Sequence, residues 1–160
     1  MEIALVTGGA KGIGQEISIQ LAELGYFVII NYYHSEEDAE KLVKTIKNNN
    51  RYAEKYKCDV RNIDELEKMV NFVVKKYGKI DLLVNNAGIS EHKLFQDITP
   101  DDYNNMINSN LSSAFFLSQL VVKNMVQYQR GKIINISSIW GMCGASLEVH
   151  YSVAKAGLIG

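Results

Sequence analysis

The chain has 160 residues, 47% of them hydrophobic and 22% charged, with a formal net charge of −1. That balance fits one soluble globular unit, and the mixed signs give no electrostatic ground for nucleic acid or a membrane surface as partner. Apolar runs such as Phe27–Ile30 are far shorter than the ~20 residues that span a bilayer, and a first strand starting almost at Met1 leaves no room for a signal peptide. Cys58 and Cys143 have no metal-ligand or redox spacing, so the expectation is a cytoplasmic protein with two buried, reduced thiols.

In chain order, Ile3–Val6 reads as a buried strand, and Gly8, Gly9, Gly12 and Gly14 follow it. Ile13, Ile17, Leu21 and Leu24 then recur at helical spacing, with Gly25 where a helix end falls. Phe27–Ile30 is a second strand, and Ser35-Glu36-Glu37-Asp38 has the form of a capping box. It opens a helix with Ala39, Leu42, Val43 and Ile46 on one face. Tyr52–Asp59 reads as a third strand in spite of its lysines. Asn62 opens a helix whose inward face is Leu66, Met69, Val70, Val73 and Tyr77, closed by Gly78. Ile80–Asn85 is a fourth strand. Thr99-Pro100-Asp101-Asp102 starts a long helix running to about Gln129. Lys132–Ile136 is a fifth strand, and a last helix begins near His150 or Tyr151. Alternating apolar strands and helices imply one α/β domain over residues 1–160, with helices on both faces of a parallel sheet.

The glycine loop lies between the first strand and the first helix, where a dinucleotide-binding domain needs a tight turn, close backbone approach and a helix N-terminus aimed at phosphate. Its spacing, Thr7-Gly8-x-x-x-Gly12-x-Gly14, departs from the usual Gly-x-Gly-x-x-Gly. Together with Asp59-Val60, Asn85-Asn86-Ala87-Gly88, Asn110, Ser138 and Tyr151-x-x-x-Lys155, it resembles the short-chain dehydrogenase/reductase family along the whole chain. The resemblance implies a Rossmann-type doubly wound parallel sheet. It also implies cofactor contacts from Gly8, Lys11, Gly12, Ile13, Gly14, Asn31, Asp59, Val60, Asn86, Ala87, Gly88, Tyr151 and Lys155, and catalysis by Asn110, Ser138, Tyr151 and Lys155.

NAD-preferring domains place an acid at the end of the second strand. Here that place reads Ile30-Asn31-Tyr32-Tyr33-His34, and Lys11 adds a positive charge in the loop. NADPH is therefore the expected cofactor, with NADH left open by Glu36 and Glu37. Tyr151 and Lys155, four residues apart, project from one helix face, where an ammonium favours the phenolate. The family pattern has Tyr151 protonate a carbonyl oxygen while hydride arrives from NADPH, Ser138 hold that oxygen, and Lys155 contact the nicotinamide ribose. Asn110 would hold a water that links Lys155 to solvent. Ser137 competes for the serine role. No metal is required, and His150 is expected to be a surface residue at a helix start.

Within the family the chain resembles bacterial 3-oxoacyl-acyl-carrier-protein reductases of fatty acid biosynthesis, through Asn110–Ser113 and Ala154–Gly160. Locally, Ser137–Gly141, Gly144–Ser146 and Glu148–Tyr151 resemble reductases of 5-aminopentanone-modified elongation factor P. The implied partner is a ketone substrate carried on acyl carrier protein or elongation factor P. Family members run to about 250 residues, which implies that this chain lacks the last two of seven strands and is a fragment of a homotetrameric enzyme. A short, non-catalytic nucleotide-binding or interaction module is the other possibility left open.

Overall fold

Five short strands form one parallel sheet in the order β3-β2-β1-β4-β5. They are β1 (Ile3–Val6), β2 (Phe27–Tyr32), β3 (Tyr52–Lys57), β4 (Leu82–Asn85) and β5 (Lys132–Asn135). The computed structural model describes residues 1–160, with helices α1 (Gly12–Glu23), α2 (Glu36–Asn48), α3 (Ile63–Tyr77), α4 (Pro100–Ile107), α5 (Ser113–Gln127) and α6 (Val149–Ile159). Because β1 pairs with both β2 and β4, the winding reverses beside it, and a crevice opens at the carboxyl ends of the strands. The register pairs Val6 with Ile30 and Val84, and Asn85 with Asn135. The loops after β1, β2, β4 and β5 therefore start along one rim.

Alternation along the strands builds two cores. Ala4, Val6, Val28, Ile30, Leu82 and Val84 pack with Leu21 and Ala22 of α1 and with Ala39, Leu42 and Ile46 of α2. Ile3, Leu5, Ile29 and Leu83 pack on the other face with Leu66, Met69, Val70 and Val73 of α3 and Leu117, Val121 and Met125 of α5. Each fully buried aliphatic side chain contributes about 1.5–3 kcal/mol, so the central strands and these four helices hold the sheet that positions the rim. No helix is long and apolar enough to cross a membrane.

Several local expectations need correction. Ile13 is 65% exposed and Leu24 76% exposed, while Ser18 is buried in α1. The Ser18 hydroxyl lies within hydrogen-bond reach of the carbonyls of Gly9 (3.2 Å) and Gly14 (2.8 Å); it satisfies the glycine loop, which an apolar residue would leave unpaired. Ser35 makes no side-chain cap on α2; Glu36 in the first turn instead accepts from Tyr32 Oη and Lys55 Nζ. By contrast, Asn62 caps α3 through the N–H groups of Asp64 and Glu65, and Thr99 and Asp102 form a reciprocal capping box on α4.

The lysines of β3 fit an outer strand, where charge guards the edge: Lys55 pairs with Glu36 at 2.9 Å, and neighbouring Glu54 pairs with Lys76 at 2.8 Å. The long helix after Pro100 is divided by a π-turn at Asn108–Ser112. Cys58 is buried, and burial pushes its thiol up to about 12. Cys143 is exposed, contrary to expectation, because it lies in the loop between β5 and α6. His150 is also misplaced by sequence reasoning, since it is only 1% exposed.

Candidate active site

The loop after β1 is shaped by what its glycines permit. Gly8 and Gly12 have φ of +58° and +52°, the left-handed region that side chains disfavour. A Cβ on Gly14 would lie 2.3 Å from the Gly8 carbonyl oxygen and 2.5 Å from Asn86 Nδ2. Asn86 ties the end of β4 to this loop: its amide donates to the carbonyls of Thr7 (2.9 Å) and Gly8 (3.1 Å), and its N–H donates to Thr7 Oγ1 (2.9 Å). Helix α1 then starts with no side-chain cap and no acid in its first turn. A helix N-terminus without a side-chain cap, beside a loop whose glycines allow close backbone approach, fits the pyrophosphate of a dinucleotide.

Next to this loop is a cleft of about 220 Å³ lined by Gly8, Asn31, Asp59, Val60, Ala87 and Gly88 and by the exposed Tyr33, His34 and Arg61. Asn31 is buried, and its side chain is engaged within the protein: Oδ1 accepts from Gly8 N–H (3.2 Å) and Nδ2 donates to the Cys58 carbonyl (3.0 Å). Lys11 is engaged too, in an exposed ion pair with Asp38 at 2.9 Å. Asp38, and neither Glu36 nor Glu37, is therefore the acid facing the loop lysine.

Arg61 escaped the sequence reading. Its guanidinium pairs with Asp59 at 2.7 Å, donates to Asn105 Oδ1 at 3.0 Å and lies 5.8 Å from the Tyr33 ring centre. The hydrogen bonds from Arg61 hold the Asp59 carboxyl below its ordinary range. Its position directly after Asp59-Val60 was the available signal.

At the other end of the crevice, Lys155 and Tyr151 share one face of α6, with Lys155 Nζ 5.7 Å from the Tyr151 ring centre. Lys155 is 5% exposed, and its Nζ donates to the Ile136 carbonyl at 2.8 Å, just past β5. Burial pushes its pKa below the ordinary lysine range, and no carboxylate pairs with it. Asn110 sits in the π-turn, a distortion common at functional sites. Its amide donates to the carbonyls of Ile89 and Met106, both at 3.0 Å, and its Oδ1 accepts from Ile89 N–H at 3.2 Å. Gly88 fits between these groups: a Cβ there would lie 2.3 Å from Asn110 Oδ1 and 3.7 Å from Lys155 Nζ.

The two serines differ in what remains free. Ser137 Oγ donates to the Lys155 carbonyl at 3.0 Å, so its proton is committed. Ser138 Oγ accepts from Trp140 N–H at 3.2 Å, which leaves its own proton available.

A family model described as short chain dehydrogenase matches residues 2–160. The chain belongs to the short-chain dehydrogenase family. It is 39% identical over 157 residues to the 3-oxoacyl-[acyl-carrier-protein] reductase FabG of Staphylococcus epidermidis, covering 98% of this chain and 64% of that protein. It is 38% identical over 159 residues to a 3-oxoacyl-[acyl-carrier-protein] reductase of Synechocystis, again with 64% of the relative covered. The chain thus spans a little under two thirds of the curated relatives it matches.

Among solved structures it superposes with a TM-score of 0.95 on a metagenomic short-chain oxidoreductase in complex with NADP, at 30% identity. That match covers 99% of this chain and 72% of the other. It superposes equally well, at 34% identity, on the F189W actinorhodin polyketide ketoreductase with NADPH, covering 99% and 61%. The glycine loop and the cleft lie at the carboxyl rim of the sheet, and Lys155 reaches the same rim through the Ile136 carbonyl and its approach to Gly88.

Proposed function

We propose that the protein is an NADPH-dependent carbonyl reductase that converts a 3-oxoacyl thioester on acyl carrier protein to the 3-hydroxyacyl form. The observation that carries this reading is Lys155, a buried ammonium without a carboxylate, held by the Ile136 carbonyl beside the Tyr151 ring. An uncompensated cation there stabilises the negative charge left on the phenolic oxygen as its proton moves to a substrate oxygen. Ser138, with its hydroxyl proton uncommitted, donates to the same substrate oxygen. Asn110 keeps the strand-end loop at Gly88–Ile89 beside Lys155. NADPH, when bound, supplies the hydride.

Gly8, Gly12, Ile13 and Gly14 would hold the pyrophosphate; Asp59 and Val60 would border the adenine, and Asn86, Ala87 and Gly88 the middle of the cofactor. NADPH over NADH is supported by the lack of a carboxylate at Asn31 and by Lys11, whose exposed pair with Asp38 can exchange for a phosphate. The NADP- and NADPH-bound structural neighbours agree with this choice. A homotetramer belongs to the same reading, supported by the apolar groove that Leu111, Phe115, Val122 and Leu158 line between α5 and α6.

A second substrate, an amine-bearing ketone on elongation factor P, is favoured by two carboxylates, Glu91 and Glu148, close to the start of α6. The deciding experiment supplies the purified protein with NADPH and either a 3-oxoacyl thioester on acyl carrier protein or the ketone-modified elongation factor. The expected result is a 3-hydroxyacyl thioester. Turnover of the modified elongation factor alone would transfer the assignment, and turnover of neither would overturn the reductase reading.

A further inference from the structure

The loop after β4 and the segment leading into α6 run past each other in antiparallel register. Lys93 N–H donates to the Leu147 carbonyl at 2.8 Å. His92 Nε2 lies 3.6 Å from Glu148 Oε1, and His150 Nε2 lies 3.6 Å from Glu91 Oε2. The pairs 93 with 147, 92 with 148 and 91 with 150 form a clasp of one backbone hydrogen bond followed by two reciprocal histidine–carboxylate contacts. Lys93 is further anchored by its ion pair with Asp102 of the α4 capping box. Leu147 has φ of +65°, a strained conformation for a leucine that the clasp holds in place.

His150 is the unusual member. It occupies the first turn of α6, one residue before Tyr151, and is 1% exposed. Both ring nitrogens are buried without a hydrogen-bond partner. A buried polar group left unpaired is costly, which favours any nearby group that can close on it. Glu91 is that group, half exposed on an irregular loop and a few tenths of an ångström beyond hydrogen-bond distance. A small inward movement of Glu91 lets Nε2–H donate to its carboxylate.

We propose that His150 and Glu91 are positioning residues, which hold the loop after β4 against the start of α6 and thereby fix the ring of Tyr151. This inference rests on the reductase reading for the importance of Tyr151, but its test does not use turnover. The protein is labelled with ¹³C at tyrosine Cζ, and the Tyr151 resonance is assigned by its loss in Tyr151→Phe. Exchange of the Lys93 amide proton is followed in the same samples.

Glu91→Ala and His150→Phe should shift or broaden the Tyr151 resonance and speed Lys93 exchange by about tenfold or more. Glu91→Gln, which keeps an acceptor, and His150→Gln, which keeps a donor near the Nε2 position, should return both signals toward those of the parent. An unmoved Tyr151 resonance in folded Glu91→Ala overturns the proposal, as does His150→Gln behaving like His150→Phe. If His150→Phe does not fold, Glu91→Ala carries the test, because its side chain is half exposed. Absence of reductase activity counts against the proposed function alone, since neither signal requires NADPH or a ketone.

Discussion

Gly14→Ala tests how the glycine loop, the end of β4 and the proposed cofactor site are joined. The added Cβ would meet the Gly8 carbonyl oxygen at 2.3 Å and Asn86 Nδ2 at 2.5 Å. The first is backbone, and the second is held by bonds to Thr7 and Gly8. Overpacking of this kind costs about 1–3 kcal/mol, and displacing the Asn86 amide loses two hydrogen bonds worth about 1 kcal/mol each. The better helix propensity of alanine returns about 1 kcal/mol.

The net loss is about 2–4 kcal/mol, which for a chain of this size lowers Tm by roughly 5–15 °C. Thermal unfolding followed by circular dichroism measures this, with NADPH affinity followed by fluorescence in parallel. Affinity should weaken about tenfold or more, because the loop proposed to receive the phosphates must open. Gly144→Ala is the control: a Cβ there would have no neighbour within 4 Å, and neither signal should change. A Gly14→Ala protein with the parent's Tm and NADPH affinity would show that Asn86 and the Gly8 carbonyl do not hold this loop closed.

Lys155→Met removes a buried ammonium that no carboxylate compensates. It should leave Tm unchanged or raise stability by about 1 kcal/mol, while reduction slows about 10²–10⁴-fold; marked destabilisation in a thermal melt would contradict this. Thr99→Ala removes the α4 cap and should cost about 1 kcal/mol in denaturant unfolding; an unchanged midpoint would speak against the capping box. Arg61→Ala bears on pH. The folded Asp59 carboxyl is depressed by Arg61, so the pair stabilises the fold above the ordinary aspartate value of about 3.9 and loses that effect as pH falls through the folded pKa. The Tm gap between parent and Arg61→Ala should be present at neutral pH and close in acid; a gap that is independent of pH would count against the pairing.

Much of this molecule was legible because its signals are local. The turn glycines, the apolar strands, the Asn62 and Thr99 caps and the four-residue spacing of Tyr151 and Lys155 each follow from short-range geometry. What escaped depends on contacts far apart in sequence. Ser18 is buried because it serves the carbonyls of Gly9 and Gly14, and helical periodicity ranks a serine as outward. The π-turn at Asn108–Ser112 leaves no mark in the apolar pattern, although Asn110 lies inside it. Lys11 carries a charge that invites a phosphate, and its partner Asp38 emerges only when α1 and α2 are placed side by side. His150 looked like an exposed helix-start residue, and the loop after β4 covers it.

In the proposed reaction Tyr151 delivers the proton while NADPH delivers hydride to the same carbonyl. Its most direct test is deuterium transfer from 4-deuterated NADPH to C3 of the hydroxyacyl product, compared between the parent and Tyr151→Phe after NADPH affinity has been matched. Label is expected at C3 with the parent, and transfer about 10²–10⁴-fold slower with the phenylalanine variant. Transfer at the parent rate in Tyr151→Phe would contradict this role of Tyr151.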